Sequence, residues 1–311
     1  MATIVTSDPE RAARAASRYP AAKVESDAEA VWERAGDHDF VVVATANDAH
    51  VPLAERAIDA GLAVVLEKPP APSAAEAREL IARAASADVL LTVFHNRRWD
   101  SDFLTLRRLI AAGDLGEVHR FESRFERWRP QLSASAWRES SPRAEGGGLL
   151  LDLGSHLVDQ ALTLFGPAAE VHGEVDARRG GPADDDDFVA ILHESGVRSH
   201  LWASSVAAAR GPRLRVQGSR GAFVVDELDG QETALREGKV PGEGVWGEEP
   251  EDRWGRFVAG EEERPVPAAD GAWPEFYRRW EAVLRGEGAV PVEPADAVAV
   301  LEVLERAARA G

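Results

Sequence analysis

Three short, uninterrupted apolar runs near the front of the chain, each joined to the next by a helical pattern, restrict what it can fold into. They are Phe40 to Ala44 (FVVVA), Leu62 to Leu66 (LAVVL) and Val89 to Phe94 (VLLTVF). A strand with one wet face alternates apolar and polar residues. A strand apolar at nearly every position is covered on both faces, as in a parallel sheet. Helical patterns over about 48–60, closing at Gly61, and over about 73–86, after the proline-rich EKPPAPS, separate these runs. Upstream, ATIVT (2–6) reads as a strand, Asp8 and Pro9 as a helix cap and first turn, the stretch to Arg18 as helix, and Lys23 to Glu25 as a brief strand. This β-α-β rhythm with short connections implies a parallel, right-handed, doubly wound sheet.

From Trp99 the texture changes. A helical stretch runs to about Ala112, and alternating segments follow at 118–128, 188–194 and 213–219. They predict a large, mostly antiparallel sheet with one solvated face. The Asp184 to Asp187 run and the Gly/Glu-rich stretch over about 237–252 read as solvated turns. Amphipathic helices close the chain near 273–285 and 294–310. Two domains are expected, residues 1–98 and 99–311, giving an α/β protein with an α+β second half. A formal charge of −18 opposes nucleic acid or an anionic membrane as partner. No apolar run reaches the roughly 18–20 residues that span a bilayer. The opening MATIVTSDPERAAR lacks the basic-then-apolar order of a signal peptide, so a cytoplasmic protein is expected. With no cysteine, disulfides and thiolate metal sites are excluded.

Three segments carry candidate chemistry. In open α/β sheets, ligands sit beyond the carboxyl ends of the strands. ATANDAH (44–50) follows a buried strand, so Thr45, Asn47 and His50 would face that crevice, although Asn47 or Asp48 could simply cap a helix. Glu67–Lys68–Pro69 ends the next strand, where a partly desolvated lysine has a lowered pKa suited to proton transfer; a solvated surface lysine is the plainer alternative. In EGGGLLLDLGSHLVDQ (145–160), Asp152 and His156 are four residues apart, with Asp159 three further on. On a helix the first two share a face, so the carboxylate could orient the imidazole for acid–base work. No third ligand stands nearby, so no metal is expected. A capping aspartate and a core histidine would fit the same residues.

In combination these segments resemble the Gfo/Idh/MocA oxidoreductases. The likeness rests on ATANDAH followed by LAVVLEKP, on FHNRRWDSDF (94–103) leading to GDLGEV (113–118), and on the GGG…DLGSH stretch. It covers essentially the whole chain, and FHNRRWDSDF, FESRFERWRP (121–130) and DLGSHLVDQALTLFG (152–166) look most like the scyllo-inositol dehydrogenase branch. The resemblance implies a Rossmann domain followed by a substrate domain, NAD or NADP as cofactor, a cyclic polyol or sugar as substrate, and a homodimer or homotetramer. It implies that Lys68 contacts the reacting hydroxyl and the nicotinamide ribose, and that Asp152 and His156 complete a proton relay. Thr45, Asn47, His50 and Glu67 would line the cofactor crevice, with Asn96 and Arg97 at the next strand end and Arg127 against substrate hydroxyls. Ala46 stands where the family usually has proline. The rival expectations are a cofactor-deficient binding protein of this fold, and an enzyme that uses its cofactor only transiently, as some family glycosidases do.

The family opens with a strand, a G-x-G-x-x-G turn and a helix, whereas this sequence begins at what reads as the second strand. Loss of the central first strand would part strands 2–3 from strands 4–6 and remove the helix N-terminus that holds pyrophosphate. Either a start placed downstream of the true one or a natural remnant of the fold is expected, the first being favoured because the remaining motifs are intact. At the end of the second strand, where an acidic residue would bind a ribose 2′-hydroxyl, stand Thr6 and Ser7. Asp8 reads as a helix cap, which leans the cofactor towards NADP.

Overall fold

A computed structural model describes residues 1–133, 136–242, 244 and 246–310. The front of the chain runs β1 (Thr3–Val5), α1 (Pro9–Arg18), β2 (Lys23–Glu25), α2 (Glu29–Trp32), β3 (Phe40–Val43), α3 (His50–Asp59), β4 (Ala63–Leu66), α4 (Ala74–Ser86) and β5 (Leu91–Val93). Asp8 caps α1, its Oδ1 accepting from the Arg11 amide at 2.8 Å, with proline in the first turn. All five strands are parallel, but they form two sheets, β1-β2 and β3-β4-β5. No described strand bridges them, and Val5 and Val42 remain 41% and 42% exposed. β4 is buried along its whole length, which explains its unbroken apolar sequence.

After α5 (Ser101–Ala112) come β6 (Val118–Glu126), α6 (Trp137–Ser140), a π-helical turn (Leu150–Gly154) and α7 (Ser155–Phe165). Then follow β7 (Ala168–Asp176), β8 (Asp186–His193), β9 (Arg198–Ser204), β10 (Leu214–Gly218), β11 (Gly221–Val225), α8 (Gln231–Arg236), β12 (Gly255–Ala259) and β13 (Glu262–Val266). The chain closes with α9 (Pro274–Leu284) and α10 (Pro294–Ala310). Strands β6 to β13 form one eight-stranded sheet, ordered β13-β12-β11-β10-β6-β9-β8-β7. Only the β6–β9 pair is parallel; every other neighbour is antiparallel. Of the stretch expected as a turn over 237–252, residues 243 and 245 lie outside the described residues.

The sheet buries one face. Along β8 every second residue is buried, so Val189 and Ile191 point inward while Phe188, Ala190 and Leu192 stay half-buried. The inner face packs with Leu106 of α5, Leu157 of α7 and Leu301 of α10 in one apolar core. Helix α10 also lies against α4, so it clamps the two halves together. Thr92 of β5 adds a tie, its hydroxyl donating to the Val292 carbonyl at 2.7 Å.

The clamp depends on a close approach at Gly173 in β7. A β-carbon there would stand 2.4 Å from the Ala307 carbonyl oxygen, a contact with backbone that cannot swing aside. Gly173→Ala is therefore expected to lower stability by about 1–3 kcal/mol, the usual cost of overpacking. Urea unfolding of the variant against the parent checks this.

Candidate functional site

Past the carboxyl ends of β4 and β5 lies a cleft of about 980 Å³, walled on the other side by the large sheet, the π-turn and α9. Its floor is built by Lys68, the second residue after β4. The Lys68 side chain is 9% exposed, and its Nζ donates to the Asp152 carbonyl at 2.6 Å and to Asp152 Oδ1 at 2.8 Å. Arg138 Nε stands 3.2 Å from the same carboxyl oxygen. Burial alone would raise the Asp152 carboxyl. The charges of Lys68 and Arg138, with the Lys68 hydrogen bond, outweigh it and hold the group below the ordinary aspartate range.

His156 lines the same cleft from the first turn of α7. Burial, and then the positive charges of Lys68 and Arg97, hold its pKa well below 6.5, so the ring is neutral near neutral pH. The expected orientation of His156 by Asp152 does not form. Asp152 serves Lys68 and Arg138, and His156 Nδ1 is buried without a hydrogen-bond partner. The reason is local: Asp152 lies in the π-turn, whose i→i+5 bonding disturbs the face that a regular helix would share at i and i+4. Asp159 is likewise spent elsewhere, gripped by Arg98 with its shortest bond at 2.6 Å. Arg98 reaches on to Asp296 of α10 at 3.0 Å.

A lysine, a carboxylate and a neutral imidazole thus meet at the strand ends of a parallel sheet, opposite a large open sheet. Residues 1–95 match the family described as "Oxidoreductase family, NAD-binding Rossmann fold", and residues 103–224 match the "GFO/IDH/MocA C-terminal domain". The chain belongs to the Gfo/Idh/MocA family. It is 42% identical to the uncharacterized oxidoreductase YdgJ of Escherichia coli, over 86% of this chain and 77% of that protein. It is 34% identical to scyllo-inositol 2-dehydrogenase (NADP(+)) IolW of Bacillus subtilis, over 86% of this chain and 75% of that protein. Among solved structures, the oxidoreductase yvaA of Bacillus subtilis superposes with a TM-score of 0.90 at 30% identity, covering 100% of this chain and 88% of that one. The chain is an NAD(P)-binding dehydrogenase of this family.

The strand ends fit the nicotinamide half of such a cofactor. Lys68 and Asn96 line the cleft, and the Asn96 amide has no hydrogen-bond partner among the described residues. Glu67 beside them is largely buried. Burial raises its carboxyl, and Lys68 partly counters this. The first hundred residues, which hold the parallel strands, contain no Gly-x-Gly-x-x-Gly pattern for the pyrophosphate. Ser7 is exposed at the end of β1.

Two expected crevice residues face inward instead. Asn47 is 4% exposed and donates from Nδ2 to the Gly146 carbonyl at 2.8 Å, across 99 positions of sequence. Gly146 has φ +84°, and a β-carbon on it would lie 2.7 Å from Asn47 Cβ, so the glycine permits the contact. His50 is buried between the carbonyls of Pro69 (2.8 Å) and Thr45 (3.3 Å). Both side chains are consumed in shaping the loops, and neither caps a helix. Thr45 stays exposed. Arg97 lines the cleft but is paired with Asp100 and Glu232, each at 3.1 Å, and stacks 4.8 Å over Phe125. Sequence reasoning missed Arg138 and Tyr277. The first sits on a one-turn helix in an irregular stretch, and the second reads only as part of an amphipathic helix. Burial and the Glu67 charge push the Tyr277 hydroxyl up to about 12.

The Asp184 to Asp187 run corrects another expectation, because it is not a solvated turn. Asp185 and Asp187 are 1% and 3% exposed, and the run leads into β8. Asp184 accepts from the Leu150 amide at 2.7 Å, which fixes the start of the π-turn, and Asp185 accepts from the amides of Arg178 and Arg179. Among the described residues, no group of three His, Cys, Asp or Glu is placed to hold a metal. Neither Asp187 oxygen meets a donor, and burial beside Asp184 pushes its carboxyl up to about 10.

A folded-state pKa above the ordinary aspartate value means that Asp187 adds stability fully present at low pH, and that this contribution is lost as pH rises towards 10. Asp187→Asn is neutral at every pH and removes the dependence. The expected outcome is a melting temperature for the variant that gains on the parent between pH 5 and pH 8. Scanning calorimetry at the two values measures it.

Proposed function

We propose that the protein interconverts a secondary alcohol of a cyclic polyol or sugar and the corresponding ketone. The observation that carries this reading is the convergence of Lys68, Asp152 and His156 on one cleft at the ends of β4 and β5. When bound, NAD(P) supplies hydride acceptance at its nicotinamide. The chain's own residues manage the hydroxyl proton. An ammonium has three donors; Asp152 takes two of those on Lys68, leaving one for a substrate hydroxyl. His156, held neutral by burial, has a free lone pair with which to accept a proton from that hydroxyl. Asp152 fixes the Lys68 side chain in the cleft.

Ser7, Thr45, Glu67, Lys68 and Asn96 are the proposed cofactor contacts. Arg97, Asn47 and His50 support them from behind. The preference for NADP is supported by Thr6 and Ser7 at the end of β1, with the Asp8 carboxylate occupied by the α1 cap. The relative IolW is named for NADP(+), and for scyllo-inositol.

The protein is further proposed to form a dimer or tetramer through the outer face of the eight-stranded sheet. That face carries Phe188 and Trp202 with ring centroids 5.1 Å apart, and Arg124 stacked 3.9 Å over Trp202. Light scattering at micromolar concentration is expected to give at least twice the mass of one chain, and a monomer overturns the proposal.

Lys68→Met keeps much of the side-chain bulk but removes the ammonium. Turnover of NADP with scyllo-inositol or a related polyol is expected to fall about 10²–10⁴-fold, the usual contribution of a general acid–base group. His156→Ala is expected to lose a similar factor, and the double variant to be little worse than the poorer single. Initial rates of reduced-cofactor formation check this. Retention of more than about a tenth of the parent rate by Lys68→Met overturns its role at the reacting hydroxyl.

A further inference from the structure

The cleft holds more positive charge than its carboxylates use. Arg97 is paired with Asp100 and Glu232, Arg138 with Asp152, and Arg236 with Glu232. Arg127 and Arg129 also line it, yet neither guanidinium has an ion-pair or hydrogen-bond partner among the described residues. Both sit just past β6, on backbone still held as strand. The Arg127 amide donates to Ser204 at 2.9 Å and the Arg129 amide to Ser205 at 2.7 Å. Residues two apart on a strand share a face, so both guanidiniums face the cleft while Trp128 between them is 58% exposed.

Arg127 is the costlier of the two. Its Nε is buried with no acceptor, and leaving a buried donor unmade is penalised. Burial, and then the like charge of Arg129, depress its pKa, while Asp152 pulls the other way. The buried, unpaired Arg127 Nε, with the exposed Arg129 guanidinium beside it in the cleft, is the kind of positive seat that an anion satisfies. The planar fork of arginine matches the oxygens of a carboxylate or a phosphate and can bind them with two parallel hydrogen bonds. A neutral sugar hydroxyl satisfies a single donor and leaves the paired charges uncompensated.

We infer that the substrate of this dehydrogenase is an acidic polyol or sugar, whose carboxylate or phosphate ester seats between Arg127 and Arg129 while its secondary alcohol meets Lys68 and His156. The inference rests on the proposed reading of the cleft as a polyol or sugar site and names the class within it. The seat also orients the substrate, because an anion fixed at one end of the cleft limits which hydroxyl can reach Lys68.

The test uses the full chain with NADP and three matched probes: D-glucose, D-glucuronate and D-glucose 6-phosphate. Calorimetry without turnover is expected to give at least about tenfold tighter binding for one or both anionic probes than for glucose, the worth of one charge-assisted hydrogen bond. Which anion binds tighter separates carboxylate from phosphate, and the preference is expected to shrink with added salt. Arg129→Gln, at an exposed position that folding tolerates, and Arg127→Met are each expected to collapse the ratio of anionic to neutral binding. Equal binding of all three probes by the parent overturns the inference. So does an increase in KM for NADP in these variants with the probe ratio intact, which would give the arginines to the cofactor's phosphates. If no polyol or sugar yields reduced cofactor, the polyol reading fails, and the calorimetric ratio still decides the anion seat.

Discussion

The Lys68–Asp152 contact is the constraint on which the site depends. It joins the end of β4 to the π-turn before α7, 84 positions later in the chain. A buried ion pair repays its desolvation only when its geometry is good and its remaining polar atoms are satisfied. Here Lys68 reaches both the carbonyl and the carboxylate of one residue, and Arg138 meets the carboxylate from the other side. The pair therefore requires the two halves of the molecule to be held in one register. The Asn47–Gly146 bond, the Thr92–Val292 bond and the α10 clamp over Gly173 provide that register.

The polar residues around this pair divide by whether their hydrogen-bonding capacity is used. Asn47, His50, Arg97, Asp159 and Asp184 are consumed by protein partners, and their work is to place loops and helix starts. Asn96, Arg127 and Arg129 face the cleft with capacity unused, and His156 keeps a ring nitrogen without a partner. A dehydrogenase of this family needs the second kind where reactants sit, since a group already satisfied by the protein cannot also recognise a ligand. The neutral state of His156 follows from the same surroundings, because burial among cations disfavours a further positive charge.

Several elements were legible because their physics is local. The apolar runs of β3, β4 and β5 announce strands covered on two faces, and the Asp8–Pro9 cap announces α1. The edge strands were not announced. β7 is exposed or half-buried along most of its length, and β13 carries four exposed residues in five, so neither shows the alternation of a strand with one dry face. The acidic run misled for the opposite reason. Four successive aspartates look solvated by composition, yet the sheet takes alternate ones inward and gives Asp185 the amides of Arg178 and Arg179.

The sequence by itself determined the class of fold and which residue types stand at the strand ends. These follow from periodicity, strand order and motif spacing, which are properties of short stretches of chain. Only the tertiary structure decided the partners. Helical spacing put Asp152 beside His156, but a π-turn and a lysine 84 positions earlier took the carboxylate instead. Crevice position put Asn47 and His50 towards a ligand, but carbonyls 99 and 19 positions away claimed them. A polar side chain bonds whatever the fold brings within about 3 Å, and that neighbour is set by the packing of distant segments, which no local pattern encodes.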